Sequence, residues 1–163
     1  MDQGRVLLEP RNFAKILDAL EIDNDDMVLD LGIGLGYSAA VIAQMAEAVI
    51  GVESDEALAT EAQAALAQAG ADNVVVETGD LAAGAAQHGP YDVITIQGGV
   101  EDVPAALIAQ LKDGGRMACI FMDGKVGAVR IGHKINGEMS WRFSFNAAAP
   151  VLAGFEHEKA FSL

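Results

Sequence analysis

The strongest constraint on the fold lies between residues 27 and 53. Met27, Val28, Leu29, Asp30 and Leu31 form an apolar run that carries an acid near its end, and Gly32, Gly34 and Gly36 follow at alternate positions. A helix-compatible stretch covers residues 37–46, and a second apolar run over residues 49–53 ends in Glu53. Strand, glycine turn, helix and strand with a terminal acid make up half of a nucleotide-binding α/β unit. Glycine suits such a turn because, lacking a Cβ, it accepts positive φ and lets the backbone approach a ligand.

Spacing selects the nucleotide. A dinucleotide fingerprint reads G-x-G-x-x-G and seats a pyrophosphate on a helix N-terminus. Here the spacing is G-x-G-x-G, with Asp30 two residues upstream. A carboxylate at that point repels pyrophosphate and favours a cation, which argues against a nicotinamide dinucleotide. S-adenosylmethionine carries a sulfonium and an ammonium and no phosphate. Asp30 suits its amino-acid end, directly or through water, with the Gly32, Gly34 and Gly36 loop cradling the methionine part. Glu53 suits the two ribose hydroxyls, since a carboxylate accepts two hydrogen bonds at once.

A chain of 163 residues is expected to form one domain spanning residues 1–163. The net charge of −14 disfavours phosphate neutralisation on nucleic acid and docking on an anionic membrane. Gln44 and Glu47 interrupt the longest apolar candidate for a membrane span. The N-terminus lacks the basic flank and apolar segment of a signal peptide, and the one cysteine, Cys119, fits a reducing compartment. A cytoplasmic location is expected.

Phe13, Ile16, Leu17 and Leu20 recur at helical spacing behind Pro10 and predict a first helix with one buried face. An alanine-rich helix is expected over residues 56–68, capped by Ser54 or Asp55. Strands are expected over residues 74–77, 92–96 and 116–122, a short helix over 81–86, and another from Pro104 to about Leu111. This alternation implies a doubly wound, mainly parallel sheet with helices on both faces, a Rossmann-like arrangement. Asn136-Gly137 between β-rich runs (residues 128–135 and 138–145) predicts a hairpin, hence an antiparallel pair at one edge. No assignment follows for residues 146–163.

Asp80 follows the third strand, where it can accept from an adenine amino group or cap the next helix. Gln97, with Gly98 and Gly99 behind it, borders the switch point of the sheet, where small residues leave room for donor and acceptor. His88, His133 and His157 are scattered and read as surface residues with no metal spacing. Cys119 reads as a buried, inert thiol. Trp141, Phe143 and Phe145 alternate and are expected to pack on one hairpin face.

These residues resemble a known family. Val28 to Tyr37, Glu53, Gly79-Asp80, Tyr91 to Ile94, and the run Glu101-Asp102-Val103-Pro104 through Leu107 to Gly114-Gly115-Arg116 follow the order of protein-L-isoaspartate O-methyltransferases. The acid–hydrophobic–Pro-x-x-Leu run before a Gly-Gly strand entry is the most distinctive part. The resemblance implies S-adenosylmethionine-dependent transfer of a methyl group to the carboxyl group of damaged aspartyl residues in a protein or peptide, the first step of their repair. Two departures stand out. The family's further N-terminal segment has no counterpart here, which suggests a shortened relative or a trimmed chain. The family's Ser-x-Pro run falls on Leu8-Glu9-Pro10, so its catalytic serine falls on Leu8 and no catalytic residue carries over. Arg5 and Arg11 are nearby cations that could hold an anionic acceptor; Arg11 is read first as a solvated helix charge, with a grip on the acceptor as the alternative. A catalytically silent relative that keeps the cofactor pocket as a binding module is the rival expectation.

Overall fold

The computed structural model describes residues 5–158. Along the chain run α1 (Pro10–Leu20), β1 (Met27–Leu31), α2 (Tyr37–Ile42), β2 (Ala48–Glu53), α3 (Glu56–Gln68) and β3 (Val74–Thr78). Two 3-10 turns (Leu81–Ala83 and Ala86–His88) then lead to β4 (Tyr91–Val100), α4 (Ala105–Gln110), β5 (Leu111–Asp123), β6 (Val126–Ile135) and β7 (Glu138–Asn146). The strands form one sheet in the order β3-β2-β1-β4-β5-β6-β7. The first five are parallel; β6 is antiparallel to β5, and β7 to β6. The expected doubly wound sheet with an antiparallel edge pair is therefore the fold.

Strand alternation divides the core. Val28, Val49, Val93 and Ala118 point to the face covered by α1, α2 and α3. Their neighbours Leu29, Ile50, Ile94 and Cys119 point to the other face, where Leu107 of α4 and the later residues Leu152 and Phe155 pack. This is the two-residue period of a strand buried on both sides. Burial pushes the Cys119 thiol well above its usual range.

α1 starts with Pro10 in its first turn and buries Phe13, Ile16, Leu17 and Leu20. Its last carbonyls are met by Arg116 of β5, which donates to Leu20 O and Glu21 O at 2.7 Å and to Asp26 Oδ2 at 2.5 Å. One guanidinium thus satisfies a helix terminus and a buried carboxylate together. Arg116→Ala is expected to cost about 2 kcal/mol, read as a lower urea midpoint; an unmoved midpoint would show the cluster to be idle.

Several elements differ from expectation, each for a local reason. α2 stops at Ile42, because Gln44 and Met45 bond back three residues and tighten the chain out of the α-helix. The helix expected over residues 81–86 is split at Gly84, whose φ of +64° and close approach to Leu107 and Gln110 leave no space for a Cβ. The aromatic stripe on the hairpin is also divided. Val129 pairs with Phe145 but Arg130 pairs with Phe143, so one extra residue bulges out of β7. That bulge flips the side-chain parity. Phe145 joins the α1 face, Trp141 packs over Gly132 on the opposite face, and Phe143 stays exposed.

The chain after β7 returns to the carboxyl end of β4. Gly99 N–H donates to Pro150 O at 2.8 Å, and Leu152 N–H donates to Gly99 O at 3.0 Å. A Cβ on Gly98 would lie 2.5 Å from Leu152, and one on Gly99 would lie 2.5 Å from Ala149 O. The glycine pair is needed for this return, and the space expected there for donor and acceptor is filled by the protein's own chain. Among the described residues, no helix is long and apolar enough to cross a membrane.

Candidate functional site

Parallel β1 and β2 end side by side, with Leu31 opposite Val52, so the glycine loop lies over Glu53. Gly32, Gly34 and Gly36 all have positive φ, from 56° to 89°. The turn is tied to β2 by Gly32 N–H, which donates to Val52 O at 2.8 Å. In that geometry Gly34 N–H donates to Glu53 Oε2 at 2.8 Å. Ser54 and Asp55 N–H groups donate to Glu53 Oε1 at 2.8 and 3.1 Å. The Arg5 guanidinium closes the cluster with a short ion pair to Oε2 and a longer contact to Ser54 Oγ at 3.4 Å. The Glu53 side chain is 0% exposed and that of Arg5 13%.

Asp30 lies one strand away, opposite Gly51 on β2 and Thr95 on β4, and is also 0% exposed. Ser38 Oγ donates to its Oδ2 at 2.6 Å, and Gln97 Nε2 donates to its Oδ1 at 2.7 Å. Burial pushes its pKa up from 3.8 to about 6, against the opposing pull of those two hydrogen bonds. Ser38 and Gln97 bridge the first helix turn of α2 and the end of β4 through this one carboxyl group.

A cavity of about 150 Å³ opens in front of the loop. Leu8, Phe13, Ile33 and Tyr37 give it apolar walls, and Ser38 and Gln97 reach it while Asp30 sits behind them. Arg5 is the only charged side chain among the described residues lining it. Leu8, at the place of the family serine, is a core residue with 7% exposure. The volume falls below the roughly 300–1,000 Å³ of an ordinary small-molecule site, with the Arg5 side chain standing in the crevice.

The structure brings Asp30, Gln97, Glu53, Gly32, Gly34 and Gly36 to one end of the sheet. Asp80 is exposed; its Oδ1 accepts from Ala82 N–H at 3.0 Å, so it caps the 3-10 turn that follows it. Arg11 is exposed on α1 and lies outside the cavity wall. His88 pairs with Glu77 at 2.7 Å, and the His157 ring pairs with Asp102, both on the surface. Sequence reasoning passed over Ser38 as a partner of Asp30. It named Arg5 only as a nearby cation, because no periodicity links residues so far apart in the chain.

Sheet order, glycine loop and acids at neighbouring strand ends define a Rossmann-like methyltransferase fold. The family model described as protein-L-isoaspartate(D-aspartate) O-methyltransferase matches residues 1–143. A protein-L-isoaspartate O-methyltransferase of Vibrio parahaemolyticus is 34% identical over 152 residues, covering 93% of this chain and 73% of its own. A Pelobacter propionicus relative, protein-L-isoaspartate O-methyltransferase 2, is 39% identical over 117 residues, covering 72% of this chain and 52% of its own. The chain belongs to the protein-L-isoaspartate(D-aspartate) O-methyltransferase family. A solved protein-L-isoaspartate O-methyltransferase superposes with a TM-score of 0.85 at 25% identity, covering 94% of this chain and 51% of that one. A Plasmodium falciparum protein of the same description, solved with S-adenosyl-L-homocysteine, shares the fold with a TM-score of 0.77 at 17% identity. Its match covers 93% of this chain and 78% of that one. The chain thus spans about half the length of the Pelobacter relative and of the first solved protein.

Proposed function

We propose that the chain is an S-adenosylmethionine-dependent O-methyltransferase acting on the carboxyl group of damaged aspartyl residues in proteins or peptides, in the cytoplasm. The observation that carries this reading is the Glu53 carboxylate, held by three backbone N–H groups at the lip of a glycine loop. An acceptor that strong, covered by Arg5 beside a crevice at the carboxyl ends of parallel strands, suits a hydroxyl of a ribose once Arg5 moves aside. Ser38 and Gln97 supply polar groups for the amino-acid end of the donor, and Asp30 fixes both in place. When bound, the donor supplies an electrophilic methyl on a sulfonium.

The protein's own part is then mostly positional. An acceptor carboxylate is already ionised at neutral pH and needs no general base. The transfer would break a carbon–sulfur bond and form a carbon–oxygen bond with no proton to move, so no residue of the chain has to act as a base. The apolar wall of Leu8, Phe13, Ile33 and Tyr37 would keep water from the reacting atoms, and the crevice, with Arg5 displaced, would bring the two reactants together. Leu8 offers no hydroxyl to orient the acceptor, which favours a second reading, a relative that binds the donor without turnover.

Transfer of radiolabelled methyl groups from S-adenosylmethionine to an isoaspartyl peptide separates the two. Base-labile label on the peptide is the expected result. Donor binding by calorimetry with no label transferred would instead support the silent reading, and no donor binding would remove both.

A further inference from the structure

The Glu53 carboxylate has about four lone-pair positions, and the structure fills all four. Oε1 accepts from the Ser54 and Asp55 N–H groups and, at 3.4 Å, from Ser54 Oγ, and Oε2 accepts from the Gly34 N–H group and the Arg5 guanidinium. Three of those donors are backbone, held by β2, the start of α3 and the glycine loop. Only Arg5 reaches in from outside these elements, on a long side chain from the irregular run before α1, so its position is the one that can be vacated without unfolding the site. The same side chain lies against Gly32, where an added Cβ would meet Nη2 at 3.3 Å. It therefore stands where the sugar of a nucleoside would have to lie to reach Glu53.

We propose that Arg5 serves both ligands in turn: the donor's ribose displaces it from Glu53, and the released guanidinium then holds the carboxylate of the acceptor. This rests on the methyltransferase reading above. A guanidinium with 13% exposure that loses its carboxylate is costly to leave unpaired. No other charged side chain among the described lining residues competes for an incoming anion. A planar fork of donors suits a carboxylate bidentately. Binding is then ordered, donor before acceptor, and each ligand tightens the other by the same factor.

The test measures dissociation constants by calorimetry for S-adenosylhomocysteine and an isoaspartyl hexapeptide, each alone and with the other saturating. In the native chain the peptide is expected to bind about tenfold more tightly once S-adenosylhomocysteine is present. In Arg5→Gln the nucleoside is expected to bind about tenfold more tightly than in the native chain, because no ion pair has to be broken first. The mutual tightening is expected to vanish. Arg5→Lys, which keeps a cation, should bring back the weaker nucleoside binding. In the native protein the Arg5 Nε–H resonance should move when S-adenosylhomocysteine is added. Nucleoside affinity no tighter in Arg5→Gln, tightening that persists there, or an Arg5 signal unmoved at saturation would each overturn the proposal while leaving the donor reading intact. Absence of nucleoside binding by the native chain would remove the donor reading itself, and the proposal with it.

Discussion

Glu53→Ala is expected to cost the fold about 3 kcal/mol and to weaken S-adenosylhomocysteine binding by about 1–3 kcal/mol. The stability loss follows from what the carboxylate satisfies. Gly34, Ser54 and Asp55 N–H groups and the Arg5 guanidinium all converge on it, and alanine leaves every one without its acceptor. The binding loss follows from the same atoms, since the ribose hydroxyl that replaces Arg5 would have nothing to donate to. The two effects can be told apart with Arg5→Gln as the second member of a double-mutant cycle. Removing Arg5 should recover part of the stability lost in Glu53→Ala, because the unpaired cation goes, and should recover none of the nucleoside affinity. Urea denaturation and calorimetry on the four proteins supply the readings. Additive stability losses would show that the ion pair contributes nothing to folding.

The second large effect is a pH dependence. Asp30 has its pKa raised to about 6 in the folded protein, chiefly by desolvation, from an ordinary value of 3.8. A raised carboxyl pKa means that the folded state holds the proton more tightly than the unfolded chain. Its contribution is complete below the unfolded value and is lost as the pH rises through about 6. By linkage the loss amounts to about 3 kcal/mol once both states are ionised. An asparagine side chain cannot ionise, so the stability of Asp30→Asn relative to the native chain should improve by about that amount between roughly pH 4 and pH 7. Parallel stability curves for the two proteins across that range would rule out a perturbed Asp30. At neutral pH the native protein thus keeps a buried charge at a cost in stability, held by Ser38 and Gln97 at the back of the crevice. Stability given up at one buried polar cluster is what a binding site commonly requires.

Much of this arrangement is visible in the order of residues. β1, α3 and the hairpin turn at Asn136-Gly137 can be placed because each carries its own local chemistry: an apolar run, a capping acid, a turn dipeptide. The glycine loop and its two acids can be placed for the same reason. What depended on distant partners was not visible. A bulge in β7 has no sequence mark strong enough to separate Phe145 from Trp141, although both obey the period of a strand. Gly98 and Gly99 read as space for a ligand, and only the return of residues 149–152 shows that the chain itself takes that space. Arg5 shows the limit most clearly. Its charge is plain, but its attachment to Glu53 spans 48 positions and follows from the three-dimensional closure of the crevice.

Cys119 offers a practical handle on all of these measurements. It is the chain's single thiol, lies in a central strand facing the side covered by α4, and is held in its protonated form by its surroundings. Alkylating reagents need both access and a thiolate. Neither is available until the middle of the sheet comes apart, so the labelling rate counts global openings and not fraying at the edges. The molecule carries its own clock for unfolding, with no engineered probe to disturb the crevice whose energetics it would report.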